Sequence, residues 1–451
     1  MNNEKLYELS ASQNVVKLQC KYSLFKRVIN ILSSVSTKEK LDFDLMKTAF
    51  NKVIERNDCL RLMFVKKKGR LMQYFRESAP LNDIPIMKFK SEKEFNDFYL
   101  EFRKKPIAYT KGKVVEPVFI KNFDGTSMVF LKVCHLALDA YGINIIYKDI
   151  FDVYNAMKEG KELPASPRKF EDLLKKDLPV QLDPSYKQKN KEFFLDFFKD
   201  KETPFYTGLH GKDCEIMEKR LAKNKCAMKM FFVHNDTEMA GFHLDEKIVA
   251  DAMKFCEENK ITLPSLLFLI NSLTASRING NRENMMPIEV CNCRGTVSEK
   301  NTAGTKVQSL GFYTTFDYSK SFKENMTAFL ERQGLLYRHI GYPDTEFEML
   351  MHKVFKYGML DTLYPFLFSF IPFVKPKGAE IMFYPNGKFA LPVYLACMYD
   401  VSSHEITVAY EYQTKLLNKE LITRFFKNFE SVLSQAIKNP EICIADIKVK
   451  E

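Results

Sequence analysis

Residues 127–154, SMVFLKVCHLALDAYGINIIYKDIFDVY, constrain the fold more than any other stretch of the chain. The first nine residues alternate as a strand does and place Val129, Leu131, Val133 and His135 on one face. After a short loop, Ile143, Ile146, Tyr147, Ile150 and Tyr154 recur at helical spacing and stop before Gly160. A strand that runs through a loop into an amphipathic helix is the unit of an α/β layer structure, with a histidine and an aspartate at the junction.

The same alternation recurs on both sides. Asp44 can cap a helix carrying Met46, Ala49, Phe50, Val53 and Ile54, which ends near Asn57-Asp58, and Leu60 to Val65 follows as a strand. From Lys158 to Asn190 the sequence turns polar, with Pro164, Pro167 and Pro179 and no sustained apolar period, as in a crossover between lobes. A boundary is expected near residue 170, giving an N-terminal lobe over 1–170 and a C-terminal lobe over 171–451. The length, 451 residues, suits two large lobes. The second lobe resumes with a helix from about Asp245 to Glu258 and a second one opened by Thr262 and Pro264. Val393 to Tyr399 and Ile406 to Tyr412 read as a hairpin, and Leu421, Phe425, Phe429, Val432, Leu433 and Ile437 as an amphipathic helix.

Composition excludes several classes. Hydrophobic residues make up 46%, enough for a large core and too many for a disordered chain. The net charge of +11 favours anionic partners at encounter. The basic residues are scattered and no zinc finger or RNA-binding signature is present, so nucleic acid is not an expected partner. The ten cysteines, spread over the whole chain and partly inside apolar runs, read as reduced thiols. No basic segment followed by an apolar stretch opens the N-terminus, and the cytoplasm is the expected compartment. The longest apolar run, Leu363 to Val374, is shorter than the ~20 residues of a spanning helix and contains Pro365 and Pro372. It reads as a buried segment, with an apolar flap or a lipid-contacting surface as the alternative.

The residues that can carry chemistry lie in Cys134 to Gly142. An imidazole, with an ordinary pKa of about 6.5, can be neutral at working pH and accept a proton from an amine or alcohol. Asp139 would hold the loop. A Cys134–His135 nucleophile–base pair is disfavoured, because adjacent strand residues point to opposite faces. Cys291 and Cys293 share a strand face but lack a second pair for zinc, so no metal site is expected. Histidines 210, 234, 243, 339, 352 and 404 share no catalytic spacing, and there is no P-loop or dinucleotide glycine fingerprint.

Leu9-Ser10 and Gln13, the run LDFDLMKTAFNKVIERNDCLRLMF at Leu41 to Phe64, and His135 with Asp139 resemble the condensation domains of nonribosomal peptide synthetases and their His-His-x-x-x-Asp-Gly motif. NCRG at Asn292 to Gly295 and LGFY at Leu310 to Tyr313 extend the resemblance over nearly the whole chain. It implies an α/β fold with mixed sheets, in which two chloramphenicol acetyltransferase-like lobes form a V-shaped pseudo-dimer around a central tunnel. It also implies that His135 is the general base or acceptor-orienting residue. Asp139 would turn away from the tunnel towards Arg294 as structural support, and the loop at Ala140, Tyr141 and Gly142 would supply N–H groups to an oxyanion. No cofactor or metal is implied. Two positions depart from the family pattern: Cys134 stands in place of the first histidine and Ala140 in place of the glycine, with Gly142 as a substitute flexible point.

The expected activity is that of a stand-alone acyltransferase. It would move an acyl group from a pantetheine thioester, on an acyl or peptidyl carrier protein acting in trans or on coenzyme A, to an amine or alcohol. A wax ester, diacylglycerol or alcohol acyltransferase of the same fold is the alternative, with membrane contact but no spanning segment. A catalytically silent carrier-docking module is the third reading. A monomer is expected.

Overall fold

A computed structural model describes residues 5–211, 214–223 and 225–450. Residues 1–4, part of the N-terminal stretch read for an export signal, lie outside the described residues. The chain divides into two compact units, each assembled from three segments. Where the sequence suggests one boundary near residue 170, the first unit runs to Tyr186 and also takes in Asn292–Val307 and Phe373–Lys388. The second comprises Lys187–Cys291, Gln308–Pro372 and Phe389–Glu451.

The first unit opens with a helix, Ala11–Tyr22 (α1), fixed by a Ser10/Gln13 capping box. Strand Asn30–Thr37 (β1) leads to helix Phe43–Arg56 (α2), whose cap is Asp42 and not Asp44. The Asp42 carboxylate accepts from the N–H groups of Asp44 and Leu45, so Asp44 sits in the first turn, where a negative charge suits the helix dipole. The strand expected from Leu60 starts later: Asp58–Arg61 form a short 3-10 turn before Leu62–Lys67 (β2), which pairs with Arg70–Phe75 (β3). Ile86–Lys88 (β4), helix Glu92–Lys104 (α3), Val115–Lys121 (β5), Ser127–Cys134 (β6) and helix Ala140–Lys158 (α4) complete the core of the unit.

Its five-stranded sheet runs in the order Ala379–Tyr384, β1, β6, β5, β4. All pairings are antiparallel except β4 with β5. β6 is central and every residue in it is buried, because both faces are covered. On one face Phe130 packs with Phe95, Phe98 and Phe102 of α3. On the other, Ile31, Ser33 and Val35 of β1 stand opposite Val133, Leu131 and Val129, and Ser33 meets the Tyr147 hydroxyl of α4 at 2.9 Å. That second face is the one the alternation assigns to His135.

The polar stretch from Lys158 to Asn190 is mostly helical: Phe170–Leu182 (α5) and Pro184–Phe198 (α6). Phe170, Leu173, Leu174 and Leu178 form a buried stripe on α5, and Pro179 is accommodated near its end. In the second unit a six-stranded mixed sheet is covered by helices Glu246–Asn259, Leu263–Ile278 and Lys419–Lys438, close to the expected spans. The expected hairpin is present as Val393–Asp400 paired with Ile406–Gln413. The apolar run at Leu363–Val374 supplies strand Leu367–Phe373, which lies inside this sheet and pairs parallel with Ile288–Asn292. Among the described residues no single helix is long and apolar enough to cross a membrane. One bent pair, Glu246–Asn259 with Leu263–Ile278, reaches that composition, and its second helix is buried from Ser265 to Ser276.

Candidate active site

β6 ends where the Cys134 carbonyl accepts the N–H groups of Ala137 (2.8 Å) and Leu138 (3.1 Å), which folds the chain into a turn that begins at His135. The turn is tied down from three directions. The His135 N–H donates to the Ile29 carbonyl at 2.9 Å, and the His135 carbonyl accepts from Thr305 Oγ1 at 2.7 Å. The Leu136 carbonyl accepts from Gln13 Nε2 at 2.8 Å. Gln13 is itself held by a reciprocal amide pair with Gln73, 2.7 Å each way, with both side chains buried.

The main chain of His135 is thus fixed. The residue keeps part of its surface accessible, but Nδ1 is buried and makes no hydrogen bond. Burial holds the imidazole below its ordinary pKa of 6.5; the Asp139 carboxylate and nearby backbone groups oppose that shift without reversing it. His135 is therefore neutral at pH 7, the state a proton acceptor needs.

Asp139 and Arg294 meet. The carboxylate caps α4 by accepting the Gly142 N–H at 2.7 Å, and also accepts the Lys306 N–H at 2.8 Å. Its two oxygens receive Arg294 Nη1 at 3.0 Å and Nη2 at 3.2 Å, a bidentate pair whose side chains are 2% and 0% exposed. The remaining guanidinium donors reach the carbonyls of Thr302 and Gly304 and the Asn292 side chain, so the buried charge is fully satisfied. The guanidinium also lies 4.9 Å from the centre of the Tyr141 ring.

The segment following Arg294 forms the outer wall of this clamp. Lys306 reaches Asp177 at 2.6 Å and Glu299 at 3.7 Å. Burial pushes the Glu299 carboxyl up, but Lys176, Lys306 and the N–H groups of Gly295 and Thr296 together bring it down to about 2. Gly304 has φ +142 and packs under the Phe170 ring, where a Cβ would lie 2.2 Å from the ring. Phe170 is positioned in turn by Asp58, whose carboxylate accepts the N–H groups of Phe170 and Glu171 at the start of α5.

Three expectations about the loop change. Gly142 is helical, and it is glycine because a Cβ would come within 2.8 Å of the Gly304 carbonyl oxygen; it serves close packing, not flexibility. Its N–H is taken by Asp139, which removes it from the N–H groups free for an oxyanion and leaves those of Ala140 and Tyr141 in the first turn. Ala140 is the first residue of α4, so no left-handed backbone there calls for glycine. Cys134 is buried at the end of β6, and burial raises its thiol far above the ordinary range, which keeps it protonated. Among the described residues no group of three or more His, Cys, Asp or Glu is arranged to hold a metal ion.

Thr305, Gly304 and Lys306 bear directly on the loop, and sequence reasoning misses them. Their one signal is the run of small residues at Thr302 to Thr305 just beyond NCRG.

A family model for the condensation domain matches residues 3–450. The chain belongs to the condensation-domain family. Condensation domains form amide bonds by acyl transfer in nonribosomal peptide synthesis. The chain is 19% identical over 451 residues to gramicidin S synthase 2 of Brevibacillus brevis, a match that covers 98% of this chain and 10% of that protein. It is 22% identical over 466 residues to tyrocidine synthase 3 of Brevibacillus parabrevis, covering 99% of this chain and 6% of that protein. The chain thus spans about a tenth or less of the length of these curated relatives. Among solved structures, a mutant starter condensation domain of rhizomide synthetase RzmA in complex with C8-CoA has a TM-score of 0.78 at 16% identity, covering 99% of this chain and 98% of that one. The first condensation domain of the calcium-dependent antibiotic synthetase has a TM-score of 0.81 at 13% identity over all of both chains. The mixed α/β, chloramphenicol acetyltransferase-like fold is therefore shared with solved condensation domains.

Proposed function

We propose that this condensation domain transfers an acyl group from a pantetheine thioester to an amine or alcohol, with His135 as the group that orients and deprotonates the acceptor. The observation that carries the reading is a neutral, partly exposed imidazole on a turn clamped by Gln13, Thr305 and the Asp139–Arg294 pair.

In the proposed step the acceptor nitrogen or oxygen forms a bond to the thioester carbonyl carbon and gives its proton to His135. The carbonyl oxygen gains negative charge and is stabilised by the N–H groups of Ala140 and Tyr141 at the positive end of α4. The carbon–sulfur bond then breaks, the electron pair leaves on sulfur, and His135 returns the proton to the thiolate. The products are an amide or ester and a free pantetheine thiol. A net charge of +11 suits an acidic carrier protein or the phosphates of coenzyme A as the donor handle. Relatives whose names mark them as gramicidin S and tyrocidine synthases, and a structural neighbour bound to C8-CoA, support a thioester donor.

Intact-protein mass spectrometry of acylated carrier proteins, incubated with this chain and separate pools of amines and alcohols, tests the reading. Discharge of a carrier with matching gain of mass in one pool identifies donor and acceptor class. Carriers and acyl-coenzyme A left intact in every pool would count against acyl transfer.

A further inference from the structure

Asn144 is 7% exposed, yet neither its amide oxygen nor its amide nitrogen has a hydrogen-bond partner. Among the described residues no other Asn or Gln leaves both amide atoms buried and unpartnered. The contrast within the same unit is Gln13 and Gln73, two buried amides that satisfy each other. Asparagine is also a poor helix former, and an orphan amide destabilises the fold, so neither helix propensity nor packing accounts for this residue.

Its position suggests what does. Asn144 lies five residues past Asp139 in α4, roughly 7–8 Å along the axis at ~1.5 Å per residue. Helical spacing stacks it over Ala140 and beside Tyr141, about a quarter turn from the apolar stripe of Ile143, Ile146, Tyr147 and Ile150. It therefore shares a helix face with Ala140 and Tyr141, in the first turn after the loop that carries His135. An amide offers one acceptor and a donor pair, which matches the carbonyl and N–H of a secondary amide.

We infer that Asn144 is a specificity-determining residue that hydrogen-bonds a secondary amide of the thioester bound at His135. The inference rests on the acyl-transfer reading. Such an amide has two sources, the pantetheine arm or an aminoacyl or peptidyl group, and a plain hydrocarbon chain supplies none.

The test is equilibrium binding to wild type, Asn144→Leu and Asn144→Ser, measured by isothermal titration with three probes alongside thermal melts. Octanoyl-pantetheine carries amides only in the arm, N-acetylglycyl ethanethioester only in the acyl group, and octanoyl ethanethioester nowhere. Asn144→Leu is expected to weaken one of the amide-bearing probes roughly tenfold, to leave the amide-free probe unchanged and to melt no lower than wild type. Asn144→Ser, which keeps a donor and an acceptor, is expected to retain part of the affinity. Loss at the arm probe assigns the pantetheine, and loss at the acyl probe assigns the acyl group. Equal losses for all three probes, or unchanged binding with a lowered melting temperature, would overturn the inference and make Asn144 a packing residue. Failure of every thioester to bind wild type would overturn the acyl-transfer reading and this inference with it.

Discussion

Removing either partner of the Asp139–Arg294 pair leaves the other charge buried, and the geometry sets how much that costs. At an N···O distance of 3.0 Å, with both side chains essentially inaccessible, the pair is in the regime where one-sided loss destabilises by ~3–5 kcal/mol, against ~0–1 for an exposed pair. Asp139→Ala also removes the cap of α4, adding about 1 kcal/mol, and strands a guanidinium that keeps only neutral acceptors. Arg294→Ala falls at the lower end, about 3 kcal/mol, because Asp139 still accepts from the N–H groups of Gly142 and Lys306. The double variant removes both charges, so its loss should fall short of the sum by ~1–3 kcal/mol. Urea melts of the four proteins measure these differences. Hydrogen exchange at the Gly142 and Lys306 amides localises them, since both lose their acceptor in Asp139→Ala. Two losses below ~1 kcal/mol that add without coupling would refute the claim that this pair clamps the loop.

Gly304→Ala should destabilise by ~3 kcal/mol or more, because a Cβ there meets the Phe170 ring on a backbone that favours glycine; Gly142→Ala, facing a carbonyl at 2.8 Å, should cost ~1–3 kcal/mol. Thermal melts rank the two. His135 has a folded pKa below 6.5, so its stability contribution is present above pH 6.5 and is lost as pH falls from there through the folded pKa; NMR of the imidazole should show its titration midpoint below pH 6.5. Glu289 behaves oppositely. Burial raises its carboxyl from 4.5 to about 7 against hydrogen bonds from Tyr337 and Gln333, so stability should fall by up to ~3 kcal/mol as pH rises from 4.5 through 7, and Glu289→Gln should remove that slope in melts at pH 5 and pH 8.

What the sequence discloses about this fold is local. The strand–turn–helix around His135 is legible because its period changes from 2 to 3.6 within a few residues, and the caps at Asp245 and Thr262 are legible because their side chains bond the adjacent turn. α5 escapes sequence reading although Phe170, Leu173, Leu174 and Leu178 keep helical spacing, since flanking prolines and lysines dilute the stripe. The return of Asn292–Val307 and Phe373–Lys388 to the first unit has no periodic signature, because register between distant strands is fixed by tertiary packing. The site shows the same division. His135 and Asp139 stand out by spacing, whereas Thr305 and Gly304 acquire meaning only when a segment ~170 residues away in sequence is laid against the loop. Gly142 stands out in the sequence as a flexible point, but its tolerance of strained backbone is unused, and its missing side chain is what the packing requires.

The central claim is that His135 handles the acceptor's proton. Single-turnover acyl transfer from the thioester found by mass spectrometry, comparing wild type with His135→Ala and checking fold by circular dichroism, tests it most directly. The account predicts a folded variant whose rate drops by ~10²-fold or more while donor binding persists. A folded His135→Ala protein that transfers at the wild-type rate would contradict it.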